Sequence, residues 1–221
     1  MDDPPMLRLS AHPLVHALVA QLRDVSTPPP AFRGLVARLT TLLLCEALAD
    51  VATVSWAVTT PLAEAEGRRL AAPIVLVPIL RAGLGMADGA LAVWPEAQVL
   101  HLGLYRDEAT LEPVTYYDRV TGRDLGGATV VVLDPMLATG GSAAAAVQVL
   151  RTRSGARDVR FVGLIGAPEG AAALAAAHPA VPIHRAALDP RLTGAGDPWP
   201  PGYILPGLGD AGDRQVGTTE P

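Results

Sequence analysis

The sequence contains no lysine, and all 17 of the residues counted as lysine or arginine are arginine. A chain without lysine cannot form a Schiff base through a lysine side chain or use a lysine nucleophile. Cysteine is almost absent as well, because Cys45 is the single one and no intrachain disulfide can form. Cys45 stands among leucines in a helical pattern, which predicts a buried structural thiol in a protein of the reducing cytoplasm.

Excess positive charge and long apolar runs are also missing. A net charge of −5 argues against a nucleic-acid surface built on bulk positive potential, so an anionic substrate would need a few placed arginines. The best apolar run, Ile74–Leu80, is too short to span a bilayer and contains Pro78. The acidic N-terminus does not have the pattern of a signal peptide. With 50% hydrophobic and 18% charged residues, the 221-residue chain is expected to form a single domain over residues 1–221.

Apolar strand patterns alternate with helical ones along the chain, which predicts an α/β fold with a parallel sheet. An entry segment and a helix that starts near His12-Pro-Leu14 are predicted for about 7–25, and a second helix for about 31–50. A hairpin-like excursion is predicted for 51–70 and an arm for 105–122. Buried strands are predicted at 74–80, 98–104, 130–133, 159–165 and 181–187, with helices between them. From Asp189 onward the chain is rich in glycine and proline, and we expect an ordered flap whose backbone amides recognise a flat ligand.

The stretch that organises the chain runs from Val130 into an alanine-rich helix. Between them lies Asp134-Pro-Met-Leu-Ala-Thr-Gly-Gly-Ser142, a loop with adjacent glycines and two hydroxyls. Glycines let a backbone approach an anion closely, the dipole of the following helix favours negative charge, and Thr139 and Ser142 add donors. The loop therefore predicts a phosphate site. It fits neither GxxxxGK[ST] nor GxGxxG.

This loop resembles the phosphoribosyl pyrophosphate (PRPP) loop of type I phosphoribosyltransferases, and its residues resemble the version found in the uracil phosphoribosyltransferase family. Four segments resemble that family in its order and with similar spacing: Pro78–Met86, Tyr105–Val114, Asp134–Ser142 and Pro206–Asp213. The resemblance covers most of residues 12–218. It implies a parallel sheet flanked by helices, with N-terminal helices, a β-arm and a C-terminal Gly/Pro-rich hood at about 188–213.

The resemblance also implies an activity, the transfer of the phosphoribosyl group from PRPP to uracil with Mg²⁺ present, giving UMP and pyrophosphate. It implies catalytic roles for Asp134, Asp210 and Arg106. The residues implied to bind PRPP are Arg81, Arg106, Asp134, Pro135, Met136, Leu137, Ala138, Thr139, Gly140, Gly141, Ser142 and Asp210.

Uracil is implied to lie against Ile204, Gly209, Asp210 and Ala211 of the hood. No direct protein ligand to the metal is implied: PRPP carries the Mg²⁺, and Asp210 would reach it through water. The resemblance further implies a homodimer or higher oligomer and GTP as an allosteric activator. The chain departs from the family pattern at Thr193, where asparagine is usual, and in a longer segment around Gly194–Pro201.

Two alternatives remain open at this stage. A non-catalytic UMP- or PRPP-sensing protein of the same fold would need a basic RNA-facing patch, for which the run Arg151, Arg153, Arg157 and Arg160 is the candidate. That run is interpreted instead as a solvated helix end and loop. A phosphoribosyltransferase for another base is the second alternative, although purine and orotate enzymes generally use lysines that this chain lacks.

Overall fold

The computed structural model describes residues 6–106 and 113–218. Strands and helices alternate along most of this chain. They are β1 (Leu7–Leu9), α1 (Pro13–Arg23), α2 (Pro29–Ala47), β2 (Thr53–Thr59), β3 (Glu64–Leu70), β4 (Ile74–Leu80), α3 (Leu84–Val93), β5 (Gln98–Val99), β6 (Leu102–Arg106), β7 (Pro113–Asp118), β8 (Thr129–Leu133), β9 (Met136–Leu137), α4 (Gly141–Ser154), β10 (Asp158–Gly166), α5 (Pro168–Ala177), β11 (Ile183–Leu188), β12 (Arg191–Leu192), β13 (Ile204–Leu205) and α6 (Ala211–Val216).

The main sheet of the described chain has the strand order β1-β11-β10-β8-β4-β6-β7, with β5 beside β4 and β9 beside β10. Its strands pair in parallel except for β7, which is antiparallel to β6. The predicted parallel sheet is therefore confirmed. The strand expected at 98–104 is divided into β5 and β6, and the short β1 was not expected as a strand.

The central strand β8 is buried along its whole length, as its unbroken run of β-branched and aliphatic residues predicts. Val131 and Leu133 pack into a core with α1, α2 and α3 on one face of the sheet. Val130 and Val132 pack into a second core with α4 and α5 on the other face. The architecture is three layers, helices on both sides of one sheet.

The hairpin β2–β3 forms a separate two-stranded antiparallel sheet, as the excursion predicted at 51–70 suggested. Most of its residues are exposed, including Trp56 at 54% and Val54 at 41%.

The prediction that Cys45 is buried was wrong. The buried side chains of α2 include Leu43, Leu44 and Ala47, whereas Cys45 is exposed on the helix surface. A rotation of 100° per residue places position 45 outside the buried stripe, and its leucine neighbours in sequence do not reveal this. No described helix is long and apolar enough to cross a membrane.

Candidate active site

Polar residues directly follow three parallel strands of the sheet. Arg81 follows β4, Asp134 follows β8 and Asp189 follows β11. Carboxyl ends of parallel strands meet at one edge of a sheet, which is where α/β folds bind their ligands. The predicted phosphate loop and the predicted Arg81 segment therefore lie at the same edge.

The loop Asp134–Ser142 connects the central strand to helix α4. Within it, Met136 and Leu137 form β9 and pair with the end of β10. Helix α4 begins at Gly141, and its N-cap residue Gly140 provides no side-chain hydrogen bond. The first turn of a helix has amides without intrahelical partners, so this N-terminus can donate to an anion.

The loop lies directly against the backbone of helix α5. Gly140 has a φ of +82°, and a Cβ there would lie 2.6 Å from the carbonyl oxygen of Gly170. A Cβ on Gly170 would in turn lie 2.3 Å from the carbonyl oxygen of Ala138. Only glycine fits this pair of contacts, so the loop conformation depends on both positions.

Asp134 is a partly buried carboxylic acid at the start of this loop. Burial raises the pKa of its carboxyl to about 7, while the Met136 amide and the Arg185 guanidinium favour the carboxylate. The Met136 amide donates to Oδ1 of Asp134 at 3.2 Å. The group therefore titrates near neutral pH, unlike an ordinary surface aspartate.

The C-terminal segment, here called the hood (residues 189–216), is ordered, as predicted, and contacts both loops. A Cβ on Gly202 would lie 3.9 Å from Cγ2 of Thr139. On the other side, Nε2 of Gln215 in α6 donates to the carbonyl of Ala82 at 2.9 Å. The hood thus spans the sheet edge from the Arg81 segment to the phosphate loop.

A buried ion pair holds the hood to helix α1. Arg23 donates through both terminal nitrogens to the carboxylate of Asp189, which is 4% exposed. The same carboxylate accepts from the Gly207 amide at 2.9 Å, and Nη1 of Arg23 donates to the Gly207 carbonyl at 2.7 Å. This network fixes the backbone at Gly207, between the predicted uracil residues Ile204 and Gly209.

The predicted uracil residues occupy one stretch of the hood but differ in exposure. Ile204 and Ala211 are buried in the core next to the N-terminal helices, so they can offer a ligand mainly their backbone groups. Gly209 and Asp210 are exposed. Asp210 is the N-cap of α6, where its Oδ1 accepts from the Asp213 amide at 2.9 Å.

Of the two arginines predicted to bind PRPP, the structure describes the side chain of Arg81 but not that of Arg106. Arg81 is exposed and lines a cleft of about 410 Å³ together with Arg33, Gly212 and Asp213. The side chain of Arg106 lies outside the described part of the structure, as do residues 107–112 at the tip of the predicted arm. The roles predicted for both arginines therefore stay predictions.

The residues that hold the site together were not found in the sequence. Gln215, Arg23, Asp189 and Arg185 stand outside the four segments of resemblance, and each finds its partner far along the chain. Asp189 gave one usable signal, since a carboxylate directly after a buried strand points to the carboxyl edge of the sheet.

The basic run near the end of α4 does not form one positive face. Arg160 is 8% exposed and pairs with Asp50 and Asp158, which corrects its interpretation as part of a solvated segment. Arg153 lies 3.6 Å from Asp118. With two of these arginines neutralised by carboxylates, the RNA-facing patch required by the regulatory alternative loses its support.

A phosphate loop on the central strand, closed over by a hood that reaches the loop of the adjacent strand, is the arrangement of a type I phosphoribosyltransferase. That class is defined by the fold together with this edge of the sheet. Comparison with known proteins specifies the family.

The sequence profile of the uracil phosphoribosyltransferase family matches residues 9–218, and the chain belongs to this family. It is 54% identical to a uracil phosphoribosyltransferase of Roseiflexus castenholzii, over 95% of this chain and 97% of that one. It is 50% identical to a uracil phosphoribosyltransferase of Acholeplasma laidlawii, over 94% and 96% of the two chains. Among solved structures, the AQ2163 protein from Aquifex aeolicus superposes with a TM-score of 0.88 at 38% identity, covering 97% of this chain and 99% of that one.

Proposed function

We propose that the protein transfers the 5-phosphoribosyl group of PRPP to uracil, giving UMP and pyrophosphate. The observation that carries this proposal is the glycine loop, whose uncapped helix N-terminus lies at the sheet edge beneath the hood, in a chain of this family. In the reaction a bond forms between N1 of uracil and C1′ of the ribose. The bond between C1′ and pyrophosphate breaks, and the N1 proton leaves the base.

The residues suit a reaction that needs positioning and charge stabilisation rather than a protein nucleophile. Bond breaking at C1′ gives the sugar oxocarbenium character, which a carboxylate at Asp134 would offset while accepting hydrogen bonds from the ribose hydroxyls. The amides of residues 138–142 and the hydroxyls of Thr139 and Ser142 would hold the 5′-phosphate. Arg81 and Arg106 would bind pyrophosphate, because the fixed fork of guanidinium donors matches phosphate oxygens.

Uracil would be recognised by the backbone of the hood. Its edge alternates N–H and C=O groups, which main-chain donors and acceptors at Ile204, Gly209 and Ala211 can match. Cytosine presents an amino group where uracil has a carbonyl, so it would leave backbone donors unpaired. The ion pair of Arg23 with Asp189 supports this assignment, since it fixes the backbone at Gly207.

Magnesium is proposed to enter with PRPP and to be reached by Asp210 through water. The exposed carboxylate of Asp210 offers the hard oxygen donor that this ion prefers. When bound, Mg²⁺ would neutralise charge on the departing pyrophosphate.

Three further properties are proposed on narrower support. A homo-oligomer is supported by the β2–β3 hairpin, because a two-stranded sheet exposed on both faces is marginal by itself. GTP activation rests on the family resemblance, and rate measurements with and without GTP test it. A cytoplasmic location is supported by the single free cysteine, Cys45.

The test is formation of labelled UMP from uracil, PRPP and Mg²⁺, with cytosine, hypoxanthine and orotate as competing acceptors. We expect UMP to form and the other bases not to compete. Asp134→Asn should lower the rate of UMP formation, whereas the matched variant Asp124→Asn should not. The carboxylate of Asp124 is exposed and accepts a hydrogen bond only from the nearby Gly126 amide among the bonds described. A protein that binds PRPP but makes no UMP would contradict catalysis, and reaction with another base would contradict uracil specificity.

A further inference from the structure

Strand β11 contains a buried arginine that the proposed mechanism does not use. Arg185 is 0% exposed, and it is the largest of the fully buried side chains. Its Nε, Nη1 and Nη2 atoms have no hydrogen-bond partner in the described part of the chain. A guanidinium without hydrogen bonds in a protein interior is costly, so its position calls for a physical reason.

Gly166 of the neighbouring strand β10 makes room for this side chain. Gly163 pairs with Arg185 in the parallel ladder, and paired residues share a face of the sheet. The amides of Leu164 and Ile165 both donate to the carbonyl of Pro135, and the pairing of β10 with β11 keeps the same register from Gly163 to Gly166. A Cβ on Gly166 would lie only 1.3 Å from Nη1 of Arg185, so the guanidinium occupies the space over Gly166.

This space lies beneath the start of the phosphate loop. Gly166 pairs with Leu137 of β9, three residues after Asp134. The carbonyl oxygen of Asp134 would lie 2.9 Å from a Cβ on Gly163. The loop therefore begins beside the stretch of β10 that ends at Gly166, where Arg185 is accommodated.

The charges of Asp134 and Arg185 interact across this space. Burial raises the pKa of the Asp134 carboxyl to about 7, and the positive charge of Arg185 opposes that rise. Burial lowers the pKa of the Arg185 guanidinium to about 9, and the negative charge of Asp134 opposes that fall. Each group is thus the counter-charge of the other in a poorly solvated place.

Other charged groups on the surrounding elements are engaged elsewhere. On β11 itself, the pKa of His184 responds to Arg8, Arg160 and Asp50 rather than to Asp134. Just past the end of the strand, Asp189 pairs with Arg23.

Ionisable groups on the neighbouring helices also have partners other than Asp134. On α5, Glu169 accepts from the Leu192 amide in the hood, and the ring of His178 bonds the Ala144 carbonyl of α4. Among the described residues, Arg185 is the one charged side chain that affects the pKa of Asp134.

We propose that Arg185 is a positioning residue for phosphoribosyl transfer, a buried cation beneath the start of the loop that keeps the Asp134 carboxylate ionised. The inference rests on the proposed function, because it assigns Arg185 a task in that reaction through Asp134. A neutral side chain at position 185 would leave Asp134 protonated at neutral pH, and a protonated carboxyl stabilises an oxocarbenium-like sugar poorly.

The experiment compares pH profiles of kcat/KM for PRPP in wild type, Arg185→Met and Arg185→Lys between pH 5.5 and 9. We expect the acid limb of Arg185→Met to move up by at least about one pH unit, which is about a tenfold loss on that limb. At pH 9 the rate should return to within about threefold of wild type. Arg185→Lys should restore most of the profile, because it restores the charge.

Gly166→Ala tests the geometry without removing the arginine. The added methyl group overlaps Nη1, so the guanidinium must leave its place, and the acid limb should move as in Arg185→Met. The double variant should show no larger shift than either single one. His184→Gln, on the same strand and coupled to other charges, serves as the control and should leave the acid limb unchanged.

A rate loss that is uniform across pH in Arg185→Met, with an unmoved midpoint, would overturn the proposal and leave Arg185 a packing residue. Calorimetric titration of PRPP binding against pH gives a second readout that needs no turnover, and it should show the same shift. If wild type makes no UMP, the proposed function fails, and the binding titration still decides the role of Arg185. Thermal unfolding of each variant identifies any that do not fold. The variants that do fold then decide whether Arg185 acts on Asp134.

Discussion

Two partly or fully buried ionisable residues show how burial sets the chemistry of individual side chains. Asp134 stands at the edge of the sheet, where burial shifts its pKa into the neutral range. His184 is 3% exposed, and burial followed by the charges of Arg8 and Arg160 lowers its pKa to about 4. Burial favours the neutral form of both groups, but the stability contributions of a carboxylic acid and an imidazole then respond to pH in opposite directions.

Asp134→Asn should separate activity from stability. Because the folded-state pKa lies above the unfolded value, the contribution of Asp134 to stability is full below about pH 4 and is lost as the pH rises through about 7. Urea unfolding at pH 8 should therefore find the variant more stable by about 1 to 3 kcal/mol, with no gain at pH 4. The rate of UMP formation should fall about 100-fold or more. A variant that is active and no more stable would contradict both expectations.

His184→Gln should reduce the sensitivity of the fold to acid. The folded-state pKa lies below the unfolded value of 6.5, so the stability that the neutral histidine provides is lost as the pH falls from about 6.5 towards 4. The stability of wild type relative to the variant should drop by about 2 kcal/mol between pH 7 and pH 4.5. Denaturant titrations at the two pH values measure this difference, and equal pH slopes for the two proteins would refute it.

At the scale of elements, the site is assembled by contacts between loops and the helices beside them. The phosphate loop is shaped by the backbone of α5, and the hood is held by Arg23 from α1 and by its own Gln215 against the Arg81 loop. These contacts are made by backbone atoms and buried charges, which tolerate little change.

Gly140→Ala should disturb the phosphate loop. Its φ of +82° strains any other residue, and the new methyl group would meet the Gly170 carbonyl at 2.6 Å. We expect a loss of about 1 to 3 kcal/mol in stability and at least about tenfold weaker PRPP binding by calorimetry. Gly155→Ala is the matched control, because its φ is +68° but no atom lies within 4 Å of a Cβ there. Equal PRPP affinities of the two variants would refute the importance of the contact.

Arg23→Met should loosen the hood. It leaves the carboxylate of Asp189 buried without its cation, which costs about 3 to 5 kcal/mol in comparable pairs. We expect a lower Tm and a raised KM for uracil, with the KM for PRPP little changed. Arg191→Met removes the exposed pair with Asp197 on the same hood and should change neither, since exposed pairs contribute little. Equal effects on both substrates would argue against a specific role of the hood in binding the base.

At the scale of the whole molecule, one sheet separates two hydrophobic cores and serves both. Alternate residues of β8 point into opposite cores, so each core covers one face of the same strand. Loss of either core would expose the face of β8 that it covers. That residues 1–221 form a single domain stays a prediction, which the following measurement tests.

Calorimetric unfolding should accordingly show one transition, with the van't Hoff enthalpy equal to the calorimetric enthalpy per cooperative unit. Repeating the scan at several protein concentrations should show a rising Tm, because the proposed oligomer would couple association to folding. Two separated transitions would contradict the single domain, and a Tm independent of concentration would contradict the oligomer.

The sequence by itself was enough to predict the strand, loop and helix at the centre of the chain and the parallel sheet with its flanking helices. An uninterrupted aliphatic strand, adjacent glycines and an alanine-rich helix leave few other arrangements, because each acts through local backbone preferences. A helix was likewise predicted over about 31–50, and α2 covers Pro29–Ala47.

Only the tertiary structure decided which distant residues support that loop. Gln215 meets Ala82, Arg23 meets Asp189, and Arg185 occupies the space over Gly166, which pairs with Leu137 of the loop. None of these pairs is local, and a lone arginine in a strand pattern gives no sign of being buried. Contacts of this kind depend on which strands become neighbours, and the energy of burying a charge depends on what the fold places around it.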